Sequence, residues 1–277
     1  MKLSYTVWTW HMDPFNKFKR HEDPAMFKLE FEKGVREISF LGYTGVENFN
    51  IMLDAYENDV EEFNAILDQY RLTFTAIYHY LGADFDSDME KARRCIEFLK
   101  RTGGKIMNLQ APKRKPEGNF TTDVLETARR AEIMGKLAHE QGIRLCLHPH
   151  WGSTIETESE VSLFAQHTNP EYVHFCFDTA HSQLAGIDQI QTIERYKDRI
   201  SYIHFKDVDP DVTLAPEKPM QRFVSLGQGT VDFKGIYKKL KEIGYDSVIC
   251  VELDYPQICN FQSAQSSRSY LREALGI

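Results

Sequence analysis

Four short apolar segments in the second half of the chain end on side chains that bind metals or transfer protons. They end at His148, Asp178, His204 and Glu252. Imidazoles and carboxylates together suit a divalent ion such as Mn, Co, Zn or Fe, and they suit Mg less well as nitrogen ligands accumulate. One shared cation would also offset the cost of burying Asp178 and Glu252. The pattern therefore predicts one divalent metal ion as the cofactor.

Each of these residues also has an ordinary structural explanation. A histidine at a strand end is more often a hydrogen-bonded scaffold residue than a ligand, and Asp178 before "TAHSQLAG" is a typical helix N-cap. His148 and His150 share one side of their strand, so either can be the ligand that this strand supplies. The coincidence on four consecutive strands favours the metal site.

These positions follow a regular rhythm of short β-prone segments. The segments are 3–8, 44–49, 72–78, 104–109, 143–148, 173–178, 200–205 and 247–252. Helical periodicity separates them; between the first two strands, for example, Phe27, Phe31, Val35 and Ile38 recur on one helix face. The strands recur about every 35 residues, the size of one βα unit.

Eight such units match a closed (β/α)8 barrel, and we expect a single TIM-barrel domain over residues 1–277. The strands are nearly continuously apolar, as parallel strands buried on both faces are. A doubly wound sheet is the alternative, but no GxGxxG follows the first strand.

Chemistry in such barrels lies at the carboxyl ends of the strands, which gives a list of positions to inspect. Beyond the four candidate ligands, we predict a substrate-binding set of Trp8, Glu47, His79, Asn108 and His150. Their polar groups would bond to substrate hydroxyls, and Trp8 or Trp10 would form an apolar wall against a sugar ring unless it simply packs in the core. The basic segment 111–120 reads as a solvated loop, with a phosphate contact as the minority alternative.

Composition limits the classes of partner and compartment. The net charge of −8 argues against a nucleic-acid partner, because no excess of cations exists to neutralise phosphates. No run approaches the roughly 20 apolar residues that cross a bilayer, and the first residues read as a strand rather than as a signal peptide. The five cysteines include no CxxC pair and read as buried residues in a reducing compartment. We expect a cytoplasmic protein with no membrane partner.

Several motifs resemble the xylose isomerase-like TIM barrels, the superfamily of sugar phosphate isomerases and epimerases that also holds endonuclease IV. They are "LHPHWGSTIET", "DTAHSQLAG", "YIHFKDV" and "LGQGTVDFKGIYKKLKEIGYDSVICVELD". The resemblance is close from about 143 to 255 and extends to the first half only in rhythm. The combination of motifs looks most like the inosose dehydratase branch.

The resemblance implies metal ligands from strands five to eight in the order Glu, Asp, His, Glu. The last three correspond to Asp178, His204 and Glu252, whereas the first falls on His148 or, less well, on His150. This departure leaves only Glu252 of the two glutamates that epimerases of the family use as an acid–base pair. The resemblance also places a substrate-binding histidine at His181. Members of the family often form homo-oligomers.

We therefore expect a metal-dependent sugar isomerase or epimerase that removes a proton next to a carbonyl of a ketose or keto-cyclitol. Glu252 is the predicted base, and His181 or Lys206 would orient or protonate an oxygen. An inosose-type dehydratase working through the same enediolate is the alternative. An endonuclease IV-like nuclease and a non-catalytic sugar-binding barrel are more distant alternatives.

Overall fold

Eight parallel strands close into a barrel in the computed structural model, which describes residues 1–11, 23–209 and 219–277. The strands follow the order β1–β10–β7–β6–β5–β4–β3–β2 around the ring. They are β1 (Lys2–Thr6), β2 (Gly45–Phe49), β3 (Thr73–Tyr80), β4 (Ile106–Gln110), β5 (Arg144–His148), β6 (Val173–Asp178), β7 (Ile200–Phe205) and β10 (Val248–Val251). The predicted (β/α)8 architecture is confirmed.

Helices follow most strands and cover the outside of the barrel. They are α1 (Pro24–Phe40), α2 (Leu53–Tyr56), α3 (Val60–Gln69), α4 (Phe85–Thr102), α5 (Phe120–Glu140), α6 (Glu158–Gln166), α7 (Thr179–Leu184), α8 (Gln189–Arg195), α9 (Phe233–Glu242) and α10 (Asn260–Tyr270). Residues at the helix ends stabilise them, as α4 illustrates. Asp84 caps its first turn by accepting from two backbone N–H groups, and Gly103 terminates it with a left-handed φ of +79°.

The periodicity of the sequence gives no clear signal for the short helices, and some strands end at other residues than predicted. The helices α6, α7 and α8 span only six to nine residues, too few for a clear apolar period. The first strand stops at Thr6, because Val7–His11 form a 3-10 turn that carries Trp8.

The lower barrel interior is a layer of small and aromatic side chains below the site. The layer comprises Ala76, Ile106, Cys146, Cys176, Tyr202 and Cys250. Hydroxyls are paired across it, since Thr75 bonds to both Ser4 and Tyr202 at 2.8 Å. All five cysteines are free thiols, and four of them are buried as predicted, whereas Cys259 is exposed, contrary to the prediction.

A short antiparallel hairpin, β8 (Asp207–Val208) with β9 (Phe223–Val224), stands beside the rim after β7. Its base is held by the buried Asp207 carboxylate, which accepts backbone N–H groups of Gly227 and Gly229 at 2.8 and 2.9 Å. The side chain of a larger residue at Gly229 would collide there, because its Cβ would lie 2.4 Å from Asp207. Asp207 is therefore a structural residue of the loop.

Within the described ranges, no helix is both long enough and apolar enough to cross a lipid bilayer.

Candidate active site

Four side chains from consecutive strand ends converge at the carboxyl-terminal rim. His148 ends β5, Asp178 ends β6, His204 lies in β7 and Glu252 follows β10. Each offers one ligand atom, and these atoms all lie within 4.8 Å of one another. All four side chains are buried. The geometry brings together the four residues that the sequence nominated, and it selects His148 rather than His150.

Asp178 serves the helix and the cluster with different oxygens. Its Oδ1 accepts the backbone N–H of His181 at 2.8 Å and so caps α7. Its Oδ2 is buried without a hydrogen-bond donor and lies 3.4 Å from His148 Nε2. Burial raises the pKa of Asp178 to about 6. Asp178 is therefore a helix cap, as the structural explanation has it, and its second oxygen has the burial that a metal ligand would have.

His204 lies at the centre of the cluster. Its Nδ1 is 2.8 Å from Glu252 Oε2 and 3.3 Å from His148 Nε2. Burial alone would lower the pKa of His204, but Cys176 and the carboxylates of Glu47 and Glu252 raise it well above the ordinary value. The surroundings of this imidazole thus favour positive charge, which a proton or a metal ion can supply.

The imidazole of His148 is bonded to a tyrosine that sequence reasoning missed. Tyr78 Oη lies 2.5 Å from His148 Nδ1 and donates to Gln110 Oε1 at 2.9 Å. Burial and the nearby His204 lower the pKa of His148 well below its usual value, so the ring is neutral. Tyr78 lies inside a buried strand and resembles ordinary core in sequence; only the exact alternation along β3 would have found it.

A buried lysine lies next to the cluster. Lys206 Nζ is 2.7 Å from Asp254 Oδ2, 3.7 Å from Glu252 Oε2 and 3.2 Å from His181 Nε2. Its ammonium also lies 4.4 Å above the ring of Phe223. Burial alone would lower the pKa of Lys206, but Asp254 and Glu252 raise it, so the ammonium stays protonated.

Two neighbours of Lys206 also have shifted pKa values. Burial alone would raise the pKa of Glu252, but Lys206 and His204 hold it below its usual range, so the carboxylate is ionised. Burial and the nearby His150 lower the pKa of His181 well below its usual value, so the ring is neutral. An ionised carboxylate and a protonated amine therefore lie side by side at the barrel mouth.

Two of the predicted substrate-binding residues are linked to the four-residue cluster by hydrogen bonds, whereas the others make different contacts. Glu47 and Asn108 reach the cluster: Glu47 contacts His204 Nε2 at 3.0 Å, and Asn108 donates to Glu47 at 3.2 Å. Trp8 packs on Phe49 at 4.9 Å between ring centres and keeps a buried Nε1 without a hydrogen-bond partner. Trp10, in contrast, is a core residue whose Nε1 donates to Glu37.

His79 and His150 lie outside the ligand cluster. Strand alternation directs His79 away from the barrel axis, because its neighbour Tyr78 faces His148. His79 bonds instead to Asn50 at 2.9 Å, so we leave it out of the proposed site. The ring of His150 packs on His181 with 3.8 Å between centres, and its role in substrate binding stays a prediction.

The basic segment carries a structural contact rather than a visible anion site. Arg114 bonds to the buried Glu160 at 2.7 Å and lies 3.6 Å from Glu156. Glu160 also completes the capping box at the start of α6. Residues 113–119 are exposed and lie outside helices and strands, as predicted for a solvated loop, and the phosphate contact stays a prediction.

The four-residue cluster fits a divalent metal ion. Asp178 Oδ2 is a buried atom without a hydrogen-bond donor, which is the condition that a cation would relieve, and Glu252 Oε2 is a second buried oxygen 2.8 Å from His204 Nδ1. Two overlapping groups use His204 with Cys176 or with Cys250. Burial raises the pKa of Cys176 to about 12 and raises that of Cys250 as well, so neither thiol offers a thiolate.

Residues 35–274 match the family described as xylose isomerase-like TIM barrel. The chain belongs to this family. An inosose dehydratase of Lacticaseibacillus casei is 29% identical over 276 aligned positions, which cover 90% of this chain and 91% of the relative. Another inosose dehydratase, from Clostridium beijerinckii, is 27% identical and covers 89% and 90%. The prediction that the chain is an enzyme is confirmed.

Solved structures of low sequence identity share the fold. A probable 3-DHS dehydratase of Bacillus anthracis, AsbF, superposes with a TM-score of 0.78 at 16% identity and covers 99% of each chain. The IolI protein, solved with a bound zinc atom, gives 0.78 at 18% identity and covers 100% of this chain and 98% of its own. The 3-keto-D-glucoside 4-epimerase YcjR of E. coli gives 0.74 at 19% identity and covers 98% and 99%.

Proposed function

We propose that this chain is a divalent-metal-dependent dehydratase that removes water from a keto-cyclitol of the inosose type. The observation that carries the proposal is the pairing of an ionised Glu252 with a protonated Lys206, 3.7 Å apart, beside the four-residue cluster. The relatives named inosose dehydratase support the substrate class. Isomerisation or epimerisation of a ketose, expected first from the sequence, would share the initial step and is distinguished by the experiment below.

Glu252 is the proposed base. Its carboxylate takes a proton from the carbon next to the substrate carbonyl, and the C–H electron pair forms an enolate. A divalent ion of the Mn, Co, Zn or Fe group, held by His148, Asp178, His204 and Glu252, would supply Lewis acidity toward the carbonyl oxygen. Base catalysis of this kind contributes about 10²–10⁴-fold.

Lys206 is the proposed acid. The enolate expels the β-hydroxyl and forms a carbon–carbon double bond, and the departing oxygen takes a proton from the Lys206 ammonium and leaves as water. The proton collected by Glu252 can then return to the Lys206 amine over the 3.7 Å between them. His181, 3.2 Å from Lys206 Nζ, orients the ammonium. The net change is loss of one water with both groups restored.

Dehydration suits this site better than epimerisation because Glu252 has no second carboxylate beside it to act as its partner in proton transfer. Epimerisation at carbon needs a proton acceptor on one face and a donor on the other. Among the other carboxylates, Asp178 caps α7 and Asp254 is paired with Lys206 at 2.7 Å. Glu47 contacts Nε2 of His204, the ring nitrogen that does not face Glu252. With His148 in place of a glutamate, Glu252 has no carboxylate counterpart, whereas elimination needs only this base and the neighbouring acid.

The test uses the metal-loaded protein with keto-inositols and ketoses in D2O. A dehydratase forms an unsaturated product that absorbs in the ultraviolet and releases one water per turnover. Deuterium entering recovered substrate without such a product would instead establish an isomerase or epimerase, and neither exchange nor product would leave a sugar-binding barrel. Cleavage of abasic DNA would establish the nuclease alternative.

Two variants separate the proposed roles of base and acid. Glu252→Gln should abolish both exchange and dehydration. Lys206→Met should reduce dehydration more than exchange, because proton removal precedes the step that needs an acid. Glu160→Gln is the matched control, since it removes a buried carboxylate that bonds to none of the cluster residues. Equal loss of exchange and dehydration in Lys206→Met would reject the acid role.

A further inference from the structure

The outer nitrogen of His204 faces a buried carboxylate. His204 Nε2 lies 3.1 and 3.0 Å from the two oxygens of Glu47. Glu47 is fully buried, and Asn108 Nδ2 donates to the same carboxylate at 3.2 Å. A carboxylate oxygen accepts hydrogen bonds, so the proton of this pair belongs to His204 Nε2. Nδ1 faces a second carboxylate, Glu252 Oε2 at 2.8 Å, and lies 3.3 Å from His148 Nε2. An ion bound by Nδ1 and Glu252 would displace a proton from Nδ1 and leave the proton on Nε2.

The position of the proton on the His148 ring can be inferred from its hydrogen bonds in the same way. A phenol has one proton, and Tyr78 donates it to Gln110. The short contact between Tyr78 Oη and His148 Nδ1 therefore needs its proton from His148. The lone pair of this ring then lies on Nε2, which is 3.4 Å from Asp178 Oδ2 and 3.3 Å from His204 Nδ1.

We propose that Glu47 and Tyr78 are positioning residues that fix the tautomers of His204 and His148, so that both rings present a lone pair to the same ion. The inference rests on the metal site of the proposed function. It changes the role predicted for Glu47, from a group that binds substrate hydroxyls to one that acts through His204. Partners of this kind orient the ring and raise its basicity as a ligand.

The test measures metal affinity rather than turnover. The dissociation constant of Co²⁺ would be obtained from its visible absorption against a competing chelator. Glu47→Gln and Tyr78→Phe should each weaken binding by about 10–100-fold, the usual effect of losing such a partner. Glu160→Gln removes a buried carboxylate at the start of α6, and Tyr202→Phe removes only a buried hydroxyl that bonds to Thr75, so both should stay within about twofold of wild type.

A second measurement needs no variant. In zinc-loaded wild-type protein, ¹⁵N NMR should show a protonated Nε2 in His204 and a protonated Nδ1 in His148. The opposite pattern in either ring would overturn the inference even if zinc binds. If Glu47→Gln and Tyr78→Phe bind Co²⁺ as tightly as wild type does, the positioning roles are wrong but the metal site can stand. If wild-type protein binds neither Co²⁺ nor Zn²⁺, both the positioning roles and the proposed metal site are wrong.

Discussion

Replacing Asp178 by asparagine separates the two roles of this residue. An asparagine caps a helix as well as an aspartate does, so the contact from Oδ1 to the N–H of His181 survives. The new amide, 3.4 Å from His148 Nε2 at the position of Oδ2, gains an acceptor. The change therefore removes the buried charge and leaves the cap in place.

The expected effect on the metal-free protein is stabilisation at neutral pH. The pKa of Asp178 lies at about 6 in the folded protein and at 3.8 ordinarily, so the folded state takes up the proton more readily. The ionised carboxylate then costs stability above pH 6, by about 3 kcal/mol at most. This cost falls as the pH drops from 6 to about 4 and is absent below that range. Asp178→Asn should follow the same window, with its advantage largest at pH 8.

Urea unfolding of chelator-treated protein between pH 4 and 8 measures this difference. Adding Co²⁺ should narrow the difference, because an ion at 100 times its dissociation constant stabilises wild type by about 2.7 kcal/mol and stabilises a variant with a poorer ligand less. Asp207→Asn is the matched control: its carboxylate accepts several backbone N–H groups, so the variant should be less stable at every pH. A metal-free Asp178→Asn protein no more stable than wild type at pH 8 would refute the reasoning.

Three further outcomes follow from the structure. His148→Glu should shift relative affinity from Co²⁺ and Zn²⁺ toward Mn²⁺ and Mg²⁺ in competition titrations, because it replaces a nitrogen ligand by a charged oxygen; an unchanged order would place His148 outside the ligand set. Gly229→Ala should cost about 1–3 kcal/mol in urea unfolding, because the added Cβ would lie 2.4 Å from both Asp207 Oδ1 and the Val208 carbonyl; wild-type stability would show that the loop yields. Burial lowers the pKa of His79 to about 4, so the unfolded chain takes up a proton at higher pH than the folded protein does. The free energy of unfolding should therefore fall as the pH drops from 6.5 to 4, and His79→Gln should flatten this pH dependence. An unchanged slope would contradict the lowered pKa of His79.

The sequence was informative about strand ends because buried parallel strands are continuous apolar runs. A polar residue that closes such a run, as Asp178 does, marks the carboxyl-terminal rim almost to the residue. The same logic brought His148, His204 and Glu252 into one cluster before their coordinates were known. The tetrahedral or octahedral geometry that an ion would adopt there depends on side-chain torsions, which no spacing rule fixes.

The sequence was less informative about which side of a strand a given side chain faces. The third strand extends to Tyr80 rather than to residue 78, so Tyr78 and His79 both lie inside it and point to opposite sides. From the sequence we selected His79, because histidine is a common functional residue, and passed over Tyr78. In the structure Tyr78 faces His148, whereas His79 points away from the barrel axis. The register shift between Val46 and Glu47 is likewise invisible in the sequence, yet it accompanies the turn of Glu47 toward His204.

The burial of four of the five thiols has a practical consequence for spectroscopy. Cys95, Cys146, Cys176 and Cys250 are enclosed in the folded protein, whereas Cys259 is exposed at the start of α10. A maleimide fluorophore should therefore attach to Cys259 alone, without prior removal of other cysteines. The label would sit next to Asn260, whose amide donates to the Thr9 carbonyl beside Trp8. Energy transfer from Trp8 and Trp10, which share one 3-10 turn, could then report events at the barrel mouth in the unmodified sequence.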